Sequence, residues 1–97
     1  LILDEPTSFL DIKYQLLLFN YLKTLNDKGL SIIMVIHDLN LAVSHSHKSI
    51  ILNKSKMVDF GVVKNVITPK NLSQVFEANF NLFYDDKKNI KFISYLS

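Results

Sequence analysis

Asp4, Glu5 and His37 are the residues whose types and spacing could do chemistry. Two adjacent carboxylates close the apolar run Leu1-Ile2-Leu3, and Pro6 follows them at once. A second apolar, β-branched run, Leu30 to Ile36, ends in His37-Asp38. Such side chains can do polar chemistry together: a carboxylate can hold a hard divalent cation, another can polarise water, and an imidazole can donate to an anionic oxygen at neutral pH.

These residues reach one place only if the two runs are neighbouring strands. A short continuous apolar run reads as a strand buried on both faces, and Pro6 ends the first because it has no N–H for the ladder. Between them, Ile12 to Lys28 reads as a helix. Ile12, Leu16, Phe19, Leu22 and Leu25 form its apolar stripe, and Leu17, Leu18 and Tyr21 widen it, so packing on more than one side is expected. Asp11 suits the N-cap as an acceptor of backbone N–H bonds, and Gly29 suits the left-handed position past the end. Strand, helix and strand make a right-handed βαβ unit with parallel strands. Its C-terminal edge, where open α/β sheets bind ligands, would carry Asp4, Glu5 and His37 together.

Further on, Asp38 is expected to cap a short helix, Leu39 to His45, followed by a polar turn over 44–48. His45 and His47 are spaced like metal ligands, but no cysteine or third partner accompanies them, and a solvated turn is the expectation. Ser49–Asn53 and Lys56–Phe60 read as strands around a turn at Lys54-Ser55, ending at Gly61. A helical turn is expected over 63–67. Thr68-Pro69 then starts a helix that turns Leu72, Val75 and Phe76 inward and stops near Asn79. The tail reads as a β-hairpin with its tip at 86–89, Ile90 and Phe92 on one side and Lys91, Ile93 and Tyr95 on the other.

Composition narrows the classes. The chain has 97 residues, 48% of them apolar, which excludes disorder and allows one modest core. No apolar stretch approaches the roughly 20 residues of a membrane span. The net charge is +2, all eleven basic residues are lysine, and no guanidinium is present for bidentate phosphate binding, so nucleic acid is not an expected partner. The absence of cysteine fits a cytosolic protein. The sequence opens inside an apparent core strand and without Met, so a fragment of a longer protein is expected.

The string Asp4-Glu5-Pro6-Thr7-Ser8-Phe9-Leu10-Asp11, followed one βαβ unit later by His37-Asp38-Leu39, resembles the Walker B strand, D-loop and switch histidine of ATP-binding cassette (ABC) transporter ATPases. The stretches SFLDIKYQ, IIMVIHDLNLA and ITPKNLSQVF are similar to importers of the iron–siderophore, haem and cobalamin branch. The resemblance covers nearly the whole chain. It implies an α/β fold, the C-terminal part of a P-loop NTPase (RecA-like) parallel sheet domain over 1–79, with a small β-hairpin appendage over 80–97. It further implies ATP and Mg²⁺ as cofactors, Asp4 holding Mg²⁺ through water, Glu5 as general base, and His37 on the γ-phosphate. Ser8 and Asp11 would lie at a homodimer interface. Permease subunits would be direct partners and an external binding protein an indirect one, with the subunit peripheral on the cytoplasmic membrane face.

This sequence departs from the family at two places. The usual Lys-Asp-Gly turn is replaced by Asn53-Lys54-Ser55-Lys56, and an acidic–basic pair by His47-Lys48. Gly29 and Gly61 are the only glycines, so neither a Walker A loop nor the Gly-Gly of a signature motif is present, and the chain by itself is expected neither to bind nor to hydrolyse ATP. Two rival readings are a non-catalytic remnant or interaction module that binds through an exposed sheet edge, and a DNA-maintenance ATPase with the same Walker B logic. The compact spacing to His37, the Thr-Pro tail and the weak net charge oppose the latter.

Overall fold

The computed structural model describes residues 1–96. Its contacts divide the chain after His37 into two compact units, 1–37 and 38–97.

In the first unit β1 (Ile2–Asp4) pairs in parallel with β2 (Ile33–Val35), joined by α1 (Ile12–Asp27). The register sets Leu3 opposite Met34 and Asp4 opposite Val35. The expected burial on both faces is corrected: side chains alternate, with Leu3, Ile32, Met34 and Ile36 half-buried while Ile2 and Ile33 are 76% and 62% exposed. The reason is layer count, because a two-stranded ribbon packed on one side leaves the other face to solvent. The widened stripe of α1 is corrected for the same reason. Phe19 and Leu22 are buried and Leu18 and Leu25 half-buried on one face, whereas Ile12, Leu16, Leu17 and Tyr21 are exposed. Gly29 takes φ 99°, and Leu30 N donates to Leu25 O at 3.1 Å, closing the helix as expected.

The second unit begins with α2 (Leu39–His45), whose first amides, Asn40 N and Leu41 N, donate to the Asp38 carboxylate. There follow β3 (Lys48–Asn53), β4 (Lys56–Val62), α3 (Val63–Val66), α4 (Pro69–Phe76), β5 (Asn79–Tyr84) and β6 (Ile90–Leu96). Each strand pair is an antiparallel hairpin. Ile51, Val63, Val66, Ile67, Leu72 and Ile93 form the core, with Val43, Val58, Val75, Phe80, Leu82 and Ile90 against it. The hairpin expected as an appendage over 80–97 thus contributes Ile93 to this core; Ser97 lies outside the described residues.

A bulge decides which of its residues face inward. Phe83 pairs with Phe92 but Tyr84 pairs with Ile90, leaving Lys91 extra. The extra residue shifts the alternation by one, so Ile90 and Ile93 both reach the core instead of lying on opposite sides. Asn40 ties this hairpin to α2, accepting from Ile93 N at 2.7 Å and donating to Ile93 O at 3.0 Å, much as a neighbouring strand would. Phe76, expected inward, is 50% exposed, because α4 ends there and Glu77 turns left-handed at φ 54°.

The β3–β4 turn takes left-handed backbone at two residues without glycine, Lys54 at φ 52° and Ser55 at φ 64°. Such a two-residue turn matches strand twist but strains a residue that carries a Cβ. Ser55→Gly should therefore raise stability by about 1 kcal/mol, read as a higher thermal midpoint.

The polar turn expected over 44–48 shrinks to 46–47, because α2 runs through His45 and β3 starts at Lys48. His45 is half-buried rather than solvated, and burial lowers its imidazole pKa below the ordinary value. A folded-state pKa below the unfolded one gives stability that is complete above the unfolded value, about 6.5, and is lost as pH falls through the folded value. Urea midpoints should drop between pH 7.5 and 5.5, and the drop should be smaller in His45→Gln.

Candidate functional site

Parallel pairing brings the ends of β1 and β2 to one edge of the ribbon. Glu5 N donates to Val35 O at 2.8 Å, extending the ladder one residue past Asp4. Glu5 then turns left-handed, at φ 43°, a conformation that costs a side-chain-bearing residue energy and that clusters at functional positions. His37 leaves β2 beside it, and its Nε2 lies 3.2 Å from Glu5 Oε1. Both side chains are open to solvent, 76% exposed for His37 and 42% for Glu5, so the pair is worth little as a salt bridge. Its value is positional: a carboxylate and an imidazole meet at the C-terminal strand edge, with the exposed Asp4 carboxylate one residue away.

Residues 5–11 are stitched by short-range bonds. Ser8 donates to Glu5 O from both its amide (3.2 Å) and its hydroxyl (3.1 Å), Leu10 N donates to Thr7 O, and Gln15 Nε2 donates to Leu10 O. Asp11 occupies the N-cap position, but its carboxylate makes no cap bond, and only its carbonyl enters the helix ladder through Gln15 N. The expected side-chain cap is thereby corrected; at an exposed site water competes with the amides for the carboxylate. Thr7, by contrast, is buried, at 6% exposure. Nothing in the sequence marked it, since a threonine in a polar loop is ordinarily solvated.

The expected residues thus divide. Asp4, Glu5 and His37 share one strand edge. Ser8 is bonded back to Glu5 and stays exposed, while Asp11 lies at the start of α1. Among the described residues no group of three or more His, Asp or Glu side chains could cage a metal ion, and no helix is long and apolar enough to cross a membrane.

No family model matches the chain. It is 42% identical over 90 residues to the iron(3+)-hydroxamate import ATP-binding protein FhuC of Bacillus subtilis, covering 92% of this chain and 34% of that protein. It is 41% identical over 80 residues to the vitamin B12 import ATP-binding protein BtuD of Escherichia coli O157:H7, covering 82% and 32% respectively. It is 34% identical over 93 residues to the hemin import ATP-binding protein HmuV of Bartonella henselae, covering 96% and 35%. Among solved structures, a chain of a metal-chelate type ABC transporter in an inward-facing conformation matches with TM-score 0.81 and 26% identity, over 99% of this chain and 40% of that one. The chain spans about a third of the length of the curated relatives it matches. In sequence over most of its length and in fold over nearly all of it, this chain is similar to the ATP-binding subunits of ABC transporters.

Proposed function

We propose that the chain is the C-terminal part of the ATP-hydrolysing subunit of an ABC importer, coupling ATP binding and hydrolysis to uptake of a metal chelate such as an iron–siderophore, haem or cobalamin. One observation carries the reading: Glu5 and His37 meet at 3.2 Å on the strand edge that also bears Asp4. The names of the relatives support the substrate class.

The donor set fits the cofactors. Mg²⁺ takes one or two carboxylates and completes its shell with water and phosphate oxygens, so the exposed Asp4 carboxylate suits it better than a closed protein cage would. When bound, Mg²⁺ neutralises charge on the phosphates of ATP. Asp4 would hold the hydrated ion, the Glu5 carboxylate would accept a hydrogen bond from the attacking water and draw its proton, and His37 would donate an N–H to the γ-phosphate. The 97 residues contain no glycine-rich phosphate cradle, so the chain alone neither holds ATP at this strand edge nor hydrolyses it. Ser8 and Asp11 lie at the interface with a second ATP-binding subunit, a reading supported by the full exposure of Phe9 between them. Permease subunits hold the dimer at the cytoplasmic membrane face, and an external binding protein acts indirectly; nucleic acid is not a partner.

Grafting the chain in place of the matched 90 residues of the Bacillus subtilis protein tests this. The graft should hydrolyse ATP, and the isolated chain should show no ATP hydrolysis. A folded graft that binds ATP without turning it over would overturn the reading.

A further inference from the structure

An open cavity of about 500 Å³ lies in the second unit. Lys54 and Lys56 line it from the β3–β4 hairpin and Lys70 from α4, together with Asn53, Asn71 and Gln74. Met57 and Val58 supply the apolar part of its wall. Three lysines therefore line one concavity, and neither Asp nor Glu is among its lining residues.

None of the three lysines forms an ion pair among the described residues. The Asp59 carboxylate is engaged with other donors: Asn71 Nδ2 donates to it at 2.9 Å, and so does Phe60 N at 2.8 Å. The same Asn71 amide donates to Val66 O at 2.8 Å, so its position is set by the fold. The imbalance is regional as well as local, since eight of the eleven lysines but only five of the nine carboxylates fall within 38–97. Like charges brought to one concavity repel unless an anion joins them, and an ammonium is a compact donor well suited to phosphate oxygen.

We propose that this cavity binds a multiply charged phosphate-bearing anion, held by Lys54, Lys56 and Lys70 with Gln74 and Asn53 as neutral donors. The site goes beyond the hydrolytic reading and does not depend on it. With ammonium groups and no planar guanidinium fork, selectivity follows charge rather than shape, so pyrophosphate binds more tightly than orthophosphate and salt weakens both. The phosphate can come from a soluble molecule or from a lipid headgroup, and the two are separable.

The test is titration of the chain with sodium pyrophosphate and with orthophosphate, followed by calorimetry and amide NMR, and flotation with vesicles of phosphatidylglycerol in phosphatidylcholine. A triple variant, Lys54→Gln, Lys56→Gln and Lys70→Gln, is set beside a control with the same charge change at the far hairpin, Lys87→Gln, Lys88→Gln and Lys91→Gln. Circular dichroism checks that both fold, and each single variant of the cavity triad is run as well. Saturable binding of one pyrophosphate, weakened at least tenfold in the cavity variant and less than twofold in the control, supports a soluble ligand. Vesicle binding with that same dependence, and none to pyrophosphate, supports the headgroup. Equal loss in both variants, or no saturable binding to either probe, overturns the site.

Discussion

Glu5→Gln should lower steady-state ATP hydrolysis by about 10²–10⁴-fold in the grafted subunit while nucleotide stays bound, the range expected when a general base is removed. Gln has the shape of Glu and keeps an oxygen beside His37, whose Nε2 lies 3.2 Å from Glu5 Oε1. It has no negative charge with which to draw a proton from water. The loss is therefore confined to the chemical step, and a trapped ATP-bound state should accumulate. Turnover and bound nucleotide, measured on the same preparation, separate the outcomes. Unchanged turnover would remove Glu5 from the role of base. Loss of turnover together with loss of bound ATP would assign it to nucleotide binding instead. A Glu5→Ala change also deletes the side chain beside His37, which makes the isosteric variant the sharper probe.

Leu72→Ala should cost about 2–5 kcal/mol, the second large effect. Leu72 is fully buried, at 0% exposure, and lies in the core with Val66, Ile67 and Ile93. Truncation leaves a cavity that rigid neighbours on α3 and β6 cannot fill. A small domain has about 5–15 kcal/mol in total, so the variant should lose much of the cooperative unfolding transition of the second unit. Leu17→Ala is the control, because Leu17 is 56% exposed and its removal should stay within about 0.5 kcal/mol. Urea unfolding followed by amide signals from Val66 and Ile93 reads both. A cost below about 1 kcal/mol for Leu72 would contradict the packing of this core.

Much of the site was legible before any fold was known. Two apolar runs, each closed by a polar chemical group and separated by one helical stripe, admit few arrangements, and a right-handed βαβ unit places both ends on one edge. Asp38 and Thr68 were legible as caps for a similar reason: a short side-chain acceptor just before a helical stretch satisfies amides that have no other partner, and both do so here. Asp11 looked the same and does not, because it is exposed and water satisfies its carboxylate equally well.

What the chain order determined by itself was local: where the helices start, the caps at Asp38 and Thr68, the positions of both hairpin turns, and the two strand ends that carry Asp4, Glu5 and His37. Periodicity and end chemistry act over a few residues, and they are written in the sequence. Tertiary structure decided the rest. A ribbon of two strands with one covered face left Ile2 and Ile33 in solvent, although their run reads as doubly buried. One unpaired residue, Lys91, moved Ile90 to the side of Ile93 and drew the hairpin into the core. Lys54, Lys56 and Lys70 came to one cavity only because a hairpin and a later helix share a core. Burial, bulges and convergent charge depend on what lies across the gap from a residue, and no pattern along the chain records that.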